Sequence, residues 1–380
     1  MIYLDNSATT KPDPSVLESF AKVNESYWFN PASIHALGDQ ANRLLETARG
    51  QIAELLKTQA KSVIFTSGGT EGTNFVVRQT AKARKAIGTH ILISKVEHPA
   101  GIEVGNLLSD EGFEVEWLEV DNTGAVQLED LKKKIRRTTT VVSIQHVNNE
   151  IGTIQPLQEC LEIIRSNSRA IVHVDAVQSY GKLPVDFDNL PVDWLTLSGH
   201  KFHGIKGSGV AVCSKQIDLE ALIVGGGQEF GLRSGTAPVA QAVALAKAMR
   251  LAHQDQQMVH KKLLLLQQEL LHFSNLHPLV TVLTPKIAAP HIVTLAVKGV
   301  TGEVLVNALE KHQIYVSTSS ACSSKKKSTS HVLQAMKVPN ELIDGVIRIS
   351  MGKDTTEQDI NAFIKTFEMI LGQLERNLQS

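Results

Sequence analysis

Short runs of β-branched and aliphatic residues alternate with helix-like stretches through the first 213 residues, and no other feature constrains the fold as strongly. This alternation predicts an α/β chain whose sheet is mostly parallel, with helices packed on its faces. Several runs are apolar nearly throughout, as expected for strands buried on both faces. The predicted strands are Val63–Thr66, His90–Ser94, Glu114–Leu118, Thr140–His146, Ala170–Asp175, Trp194–Leu197 and Gly209–Cys213. The predicted helices between them are Gln40–Lys57, Thr70–Ala86, Pro99–Glu111, Leu128–Ile135 and Pro156–Ser166.

The pattern changes after Val239. Residues Val239–Phe273 are helix formers almost without turn residues, a length that predicts either a break or a helix bridging two domains. A second, smaller α/β domain is expected beyond it, in keeping with a chain of 380 residues. Its predicted strands are Val280–Leu283, Ile292–Val297 and Val346–Met351, and its predicted helices are Glu303–Lys311 and Glu357–Leu378.

Charge and cysteine content exclude several classes of protein. The chain has 38 Lys+Arg against 39 Asp+Glu, so it carries no general basic field for nucleic acid and no polybasic membrane anchor. No run approaches the ~18 apolar residues of a membrane helix, and the start MIYLDNSATT does not have the pattern of a signal peptide. Three scattered cysteines are too few for a disulfide framework or a thiolate metal site. We expect a cytoplasmic, reducing compartment.

A glycine-rich turn follows the strand Val63–Thr66. Residues Ser67–Gly72 combine glycines and hydroxyls at the start of a predicted helix, where backbone N–H groups and the helix dipole favour an anion such as phosphate. The turn lacks the lysine of a P-loop and the spacing of a dinucleotide fingerprint. On its own it is equally well explained as a turn with a Ser/Thr helix cap.

Polar residues also end two later strands. Asp175 closes one strand, and Ser198–Gly204, which contains Lys201, follows another. Because ligands of open α/β sheets gather at the carboxyl ends of strands, these residues are expected to meet. A lysine that attaches covalently, an acid that keeps a pyridine nitrogen protonated and a phosphate-binding turn together indicate pyridoxal phosphate. Separately, Asp175 could be a turn acid and Lys201 a solvated cation, but the three features in this order favour the cofactor.

The histidines are a weak indication of metal. Their spacing lacks the HExxH pattern, and their neighbours are lysine and glycine rather than carboxylates, so no metal is expected. The histidines concerned are His98, His173, His200 and His203.

Cys322 is a candidate nucleophile. It lies in a Ser-rich stretch that predicts a mobile loop, whereas Cys160 and Cys213 have the apolar neighbours of buried cysteines. The adjacent Lys325–Lys327 run could lower the pKa of the thiol or steer an acidic or nucleic-acid-bearing acceptor, but such a run more often belongs simply to a solvated loop.

Taken together, the motifs of the chain resemble those of the pyridoxal-phosphate-dependent cysteine desulfurases of the NifS/IscS type, in order and over essentially the whole length. The stretches that carry this resemblance are Tyr3–Asn6, Asn30–Ser33, Phe65–Gly72, Glu97–His98, Val147–Gly152, His173–Gln178, Ser198–Gly204, Gly225–Thr236, Ser320–Cys322 and Ile347–Ser350. The resemblance implies the fold-type I architecture with a mostly parallel seven-stranded sheet. It also implies a large cofactor domain of residues 15–255 and a small domain of residues 1–14 and 256–380.

The resemblance further implies the role of each site residue. Lys201 would hold the cofactor, Asp175 would pair with its ring nitrogen, and His98 would stack on the ring and assist proton transfer. Arg348 would bind the substrate carboxylate, and Cys322 would take the sulfur of L-cysteine as a persulfide while L-alanine leaves. Asn149 and Gln178 would contact the oxygen side of the ring, and Gly69, Thr70, Ser198, His200 and the partner subunit's Thr236 would bind the phosphate.

The expected partners are L-cysteine, a second copy of the chain in a homodimer, and a protein sulfur acceptor. The spacing from Cys322 to the helix near His331 resembles that of the long-loop members, so the acceptor stays open between an iron–sulfur scaffold and a tRNA-thiolating enzyme. No direct nucleic-acid or membrane binding is expected. The alternatives are a selenocysteine lyase, another aminotransferase of the same class, or a scaffold that has lost its cofactor.

Overall fold

The computed structural model describes residues 1–215, 219–318 and 330–379. Its strands are β1 (Ile2–Tyr3), β2 (Val63–Thr66), β3 (His90–Ser94), β4 (Glu114–Leu118), β5 (Thr139–Gln145), β6 (Ile171–Asp175), β7 (Trp194–Ser198), β8 (Gly209–Cys213), β9 (Val280–Val282), β10 (Ile292–Val297), β11 (Ile314–Tyr315), β12 (Ser317–Thr318) and β13 (Val346–Ser350). Its helices are α1 (Pro14–Ser26), α2 (Ala36–Leu55), α3 (Gly69–Ala83), α4 (Pro99–Asp110), α5 (Leu128–Lys134), α6 (Leu157–Asn167), α7 (Val239–Leu276), α8 (Gly302–Glu310), α9 (His331–Ala335), α10 (Asn340–Ile343) and α11 (Glu357–Gln379).

The larger sheet has seven strands in the order β2-β8-β7-β6-β5-β3-β4. Neighbours from β7 to β4 run parallel, whereas β8 is antiparallel to both β2 and β7. The predicted α/β class and mostly parallel sheet are therefore confirmed. The carboxyl ends of β5, β6 and β7 lie side by side, so the residues that follow them converge at one edge of the sheet.

A smaller sheet of four antiparallel strands forms from the last third of the chain, in the order β12-β13-β10-β9. The amino terminus joins this part of the protein, because β1 pairs in parallel with β11 and Asp5 bridges to Ser350. The side chains of Phe363 and Phe367 from α11 stack at 5.2 Å in the core beneath the small sheet. The domain boundaries predicted above stay a prediction.

Helix α7 connects the two hydrophobic cores without a break. It has 38 residues, about 57 Å at 1.5 Å per residue. Leu245 and Met249 in its first half are buried in the core of the large sheet, and Leu263 and Leu270 in its second half are buried in the core of the small one. Of the two outcomes that the length predicted, the bridge is therefore the observed one.

Candidate active site

A cavity of about 290 Å³ opens at the carboxyl ends of the parallel strands. Its wall is formed by Ser7, Ala8, Gly69, Thr70, His98, Gln145, Val147, Asn149, Asp175, Val177, Gln178, Ser198, His200, Lys201 and Arg348. The structure thus brings together ten residues that the sequence singled out, from segments far apart in the chain. Thr236 does not line this cavity and lies exposed on the surface. Cys322 and Lys325–Lys327 fall outside the described residues.

One end of the cavity is the start of helix α3, which begins at Gly69 directly after β2 and a short turn. A Cβ on Gly69 would lie 2.7 Å from Cγ2 of Val177, so a larger residue there would collide with the cavity wall. The backbone N–H of Ser67 donates to Oε2 of Glu71 at 3.0 Å, which fixes the turn. The unpaired N–H groups of the first helical turn make this end suitable for a phosphate.

Lys201 reaches into the cavity from the single 3-10 turn Gly199–Lys201 that follows β7. Its Nζ donates to the carbonyl oxygens of Ala8, at 2.9 Å, and of Ser7. On the side away from the cavity, Nζ of Lys182 donates to the carbonyl of Lys201 at 2.7 Å. These contacts could not be predicted from the sequence, because they involve backbone carbonyls and a lysine that belongs to no evident motif.

Asp175 forms the floor of the cavity at the end of β6. One oxygen of its carboxylate accepts from the backbone N–H of Val177 at 2.9 Å. Burial raises the pKa of Asp175 to about 6, and the hydrogen bond from Val177 and the charge of Lys201 oppose that shift. A cationic group brought above this carboxylate would favour its ionised form. Nearby, Nε2 of Gln178 donates to the carbonyl of Ser7 at 3.0 Å.

His98 is the N-cap of helix α4. Its Nδ1 accepts from the backbone N–H of Ala100 at 3.2 Å, so Nε2 carries the ring hydrogen. Burial lowers the pKa of His98 to about 4, with further lowering by the charges of Lys201 and His331. The imidazole is therefore neutral at physiological pH, a state suited to lying flat against an aromatic ring.

Arg348 supplies a positive charge at the opposite end of the cavity, on β13. It is 4% exposed, and its guanidinium donates to Oδ1 of Asp5 at 2.9 Å and to the carbonyl of Asn149 at 2.8 Å. Its Nε is buried and has no hydrogen-bond partner among the described residues. The guanidinium thus contributes a positive charge to the cavity wall for an incoming anion. The pairing with Asp5 was not anticipated from the sequence.

The described residues on both sides of the Cys322 segment lie beside the cavity. On one side, Ser317 of β12 pairs with Arg348. On the other side, Ser330 donates from its Oγ to Oε2 of Glu150 at 2.5 Å, and Nε2 of His331 lies 2.9 Å from the carbonyl of Glu97. The ends of this segment are thus held next to Arg348 and to the neighbours of Asn149 and His98.

This arrangement matches the needs of pyridoxal phosphate. A lysine amine, a buried acid, a neutral imidazole and a helix start are all present in one cavity, and the guanidinium of Arg348 offers a positive charge for a substrate carboxylate. Within the described ranges, no group of three or more His, Cys, Asp or Glu side chains is placed to hold a metal ion. No helix in those ranges has the length and apolar character needed to span a bilayer.

The fold and the site define a class-V aminotransferase, since residues 2–363 match the family described as "Aminotransferase class-V". Its members depend on pyridoxal phosphate. The chain is 42% identical over 373 residues to a "NifS/IcsS protein homolog" of Lactobacillus delbrueckii subsp. bulgaricus, covering 97% of each. It is 38% identical to the "Cysteine desulfurase IscS" of Pectobacterium carotovorum, covering 98% of this chain and 93% of that one. The chain belongs to the NifS/IscS cysteine desulfurase family.

Solved structures agree with this assignment. A "NIFS-like protein" superposes with a TM-score of 0.91 at 37% identity, covering 98% of this chain and 99% of that chain. A structure of "SspA in complex with cysteine" superposes with a TM-score of 0.81 at 27% identity, covering 94% and 100%. The fold-type I architecture expected from the sequence is therefore confirmed.

Proposed function

We propose that the protein removes sulfur from L-cysteine, releases L-alanine, and carries the sulfur as a persulfide on Cys322 for transfer to a protein acceptor. The observation that carries this proposal is the meeting of Lys201, Asp175, His98 and Arg348 around one cavity. The described neighbours of the Cys322 segment lie beside that cavity, and a similar protein has been solved in complex with cysteine.

The cavity residues divide into those that hold the cofactor and those that hold the substrate. When bound, pyridoxal phosphate acts as an electron sink that stabilises negative charge at Cα of the substrate. Lys201 would hold it covalently and Asp175 would pair with its ring nitrogen. Asn149 and Gln178 would contact the oxygen side of the ring, and Gly69, Thr70, Ser198, His200 and the partner subunit's Thr236 would bind the phosphate.

Lys201 and His98 handle protons in this proposal. Nζ of Lys201, as a neutral amine, is the base that takes the Cα proton of the substrate. The carbonyls of Ser7 and Ala8 provide a fixed resting place for the same Nζ. The neutral imidazole of His98 would stack on the ring and assist proton transfer through its Nε2–H.

Arg348 and Cys322 act on the substrate itself. Arg348 binds the carboxylate through its guanidinium, as charge-assisted hydrogen bonds favour. The Cys322 thiolate attacks the substrate sulfur and forms an S–S bond. The carbon–sulfur bond breaks and its electron pair stays with the carbon fragment, which takes up one proton at Cβ, regains one at Cα and leaves as alanine. The products are one persulfide and one alanine per cysteine consumed.

A homodimer is part of the proposal. Thr236 is exposed and outside its own cavity, as expected of a residue that serves a second subunit. Large apolar side chains are exposed on the same chain, among them Trp28 at 72% and Phe230 at 53%. We propose that the acceptor is an iron–sulfur scaffold or a tRNA-thiolating enzyme and that the protein acts in the cytoplasm.

The test measures alanine and enzyme-bound persulfide formed from L-cysteine by the wild type and by Cys322→Ser. We expect the wild type to form one persulfide in a single turnover and Cys322→Ser to form none. Cys160→Ala is the matched control, because Cys160 is buried and its pKa is raised to about 12 by burial, so it should react as the wild type does.

Full alanine production by Cys322→Ser would contradict the proposal and would favour a selenocysteine lyase or another class-V enzyme. Those two are separated by comparing selenocysteine with cysteine, because a selenocysteine lyase acts without the thiol and discriminates against cysteine.

A further inference from the structure

Residues Glu229 and Phe230 lie in an unusual backbone conformation. Their φ angles are 49° and 58°, in the left-handed region that residues other than glycine rarely adopt. Such residues cost on the order of 1–3 kcal/mol each and persist only where the surroundings hold them. They belong to the segment Gly225–Thr236, which carries Thr236. The contacts that hold them therefore bear on where Thr236 is placed.

The main contact is a buried ion pair with Arg49 of helix α2. Nη1 and Nη2 of Arg49 donate to the two carboxylate oxygens of Glu229 at 2.8 and 2.9 Å, and these side chains are only 3% and 6% exposed. The guanidinium also lies between two rings, with its carbon 4.9 Å from the centroid of Phe65 and 5.0 Å from that of Phe230. The left-handed turn thus places the carboxylate of Glu229 against Nη1 and Nη2 of Arg49, and the ring of Phe230 against the face of the same guanidinium.

The same pair closes the free edge of the large sheet. Strand β2 is the outermost strand, so alternate backbone groups along it have no strand partner. The carbonyl of Val63 accepts from Arg49 at 2.7 Å, and the N–H of Phe65 donates to Glu229 at 2.8 Å. The Gly225–Thr236 segment is therefore fixed to the strand that leads into the phosphate-binding turn.

A second ion pair joins this segment to the other side of that turn. Nε of Arg233 donates to Oε1 of Glu71 at 2.9 Å, and Glu71 lies in the first turn of α3. Within the segment, the N–H of Gly235 donates to the side chain of Gln228 at 3.1 Å. Gln228 adjoins Glu229 and Gly235 adjoins Thr236, so this hydrogen bond links the position of the Arg49–Glu229 pair to that of Thr236.

We propose that Arg49 and Glu229 are positioning residues for the cofactor site of the partner subunit. Their ion pair holds the segment so that Thr236 projects from the surface at the place where the other subunit needs a phosphate ligand. The inference rests on the proposed homodimer. It adds that residues far from one cavity govern cofactor affinity in the other.

Mixed dimers test this inference by cofactor binding alone. One subunit carries Lys201→Ala, so the absorption of covalently held pyridoxal phosphate reports only on the other subunit. Arg49→Met with Glu229→Gln is placed in the Lys201→Ala subunit. Both charges are removed together, because a single buried charge left unpaired endangers folding. The amide oxygen that Glu229→Gln introduces keeps an acceptor for the N–H of Phe65.

We expect the reporting subunit to bind pyridoxal phosphate about tenfold more weakly, as one lost charge-assisted hydrogen bond implies. Thr236→Ala in the Lys201→Ala subunit should give the same loss, and combining it with the Arg49 and Glu229 changes should add nothing. The same two changes placed in the reporting subunit should alter affinity less than twofold.

Arg165→Met is the matched control. Arg165 also pairs with a carboxylate, Asp193, and donates to a backbone carbonyl, that of Ala170, but it lies at the amino ends of the strands. It should leave affinity unchanged. An unchanged reporting subunit, or a loss only when the changes share its chain, overturns the inference. A monomer in light scattering would instead contradict the homodimer, and absent alanine release would contradict the proposed function without altering this binding result.

Discussion

The buried carboxylate of Asp175 should cost the cofactor-free protein stability, and Asp175→Asn should recover it. Burial raises the pKa of Asp175 from 3.8 to about 6. At about 1.4 kcal/mol per pKa unit, ionisation of this group in the folded state is penalised by up to ~3 kcal/mol. Because the carboxylate is partly open to the cavity, we expect a measured effect of about 1–3 kcal/mol. Asparagine keeps an oxygen to accept from Val177.

The raised pKa of Asp175 fixes the direction in which the stability difference changes with pH. Below pH 3.8 the group is protonated in both states and imposes no penalty, and above about pH 6 it is ionised in both and the penalty is complete. The free energy of unfolding of Asp175→Asn should therefore exceed that of the wild type by an amount that grows as the pH rises from 4 to 7. Urea unfolding of both cofactor-free proteins across this range measures it.

Asp13→Asn is the control of opposite sign. The hydrogen bond from Lys353 lowers the pKa of Asp13 to about 2, so its loss should reduce stability at pH 7. A stability difference between Asp175→Asn and the wild type that does not change with pH would refute the reasoning about burial. With cofactor present, Asp175→Asn should bind it more weakly, so stability and function oppose each other at this residue.

Three further predictions concern the cavity wall and a lysine packed behind it. Burial and the charge of Lys201 lower the pKa of Lys182 to about 7. The free energy of unfolding of the wild type should therefore rise by at most ~5 kcal/mol as the pH increases from 7 towards 10.5. Urea unfolding of Lys182→Met should not show this rise. Gly69→Ala should weaken pyridoxal phosphate binding at least ~10-fold in a titration, because its Cβ would lie 2.7 Å from Cγ2 of Val177. Gly50→Ala in helix α2, whose Cβ would have no other atom within 4 Å, should bind the cofactor normally and raise the free energy of unfolding by about 0.5–1 kcal/mol. The imidazole NMR signals of His98 should stay constant from pH 8 to 5.5, since its pKa is lowered to about 4, and a midpoint near 6.5 would contradict the neutral state assigned to it.

Most of the large sheet was predictable because several of its strands are apolar nearly throughout and end at polar residues. The strand ending at Asp175 and the one before Lys201 were placed within a residue of their observed bounds. The order of the strands was not predictable, nor was the antiparallel direction of β8, because neither leaves a periodic signal. Helix α1 was missed, and α2 begins earlier than expected because His35 caps it through its side chain, an unusual capping residue.

The site likewise contains residues that were predictable from the sequence and contacts that were not. Asp175 and Lys201 stand at strand ends, where local sequence reveals a binding edge. The contacts of Lys201 with Ser7 and Ala8 join residues 194 and 193 positions apart through backbone carbonyls, which have no residue signature. The Arg348–Asp5 pair spans 343 positions. Only the folded chain shows that the amino-terminal segment forms part of the cavity.

That placement of the amino terminus has a consequence for how the protein is made on the ribosome. The N–H groups of Ile2 and Leu4 donate to Gln313 and Tyr315, and Asn6 donates to Ser350. Residues 2–6 therefore wait for residues 313–350, which are synthesised about 300 positions later, before they find these partners. Until Arg348 has been made, Asp5 lacks its ion pair and the cavity lacks one residue of its wall, so a chain that stops before residue 348 cannot complete the cavity. Synthesis itself thus delays the chemistry until residue 348 has been added.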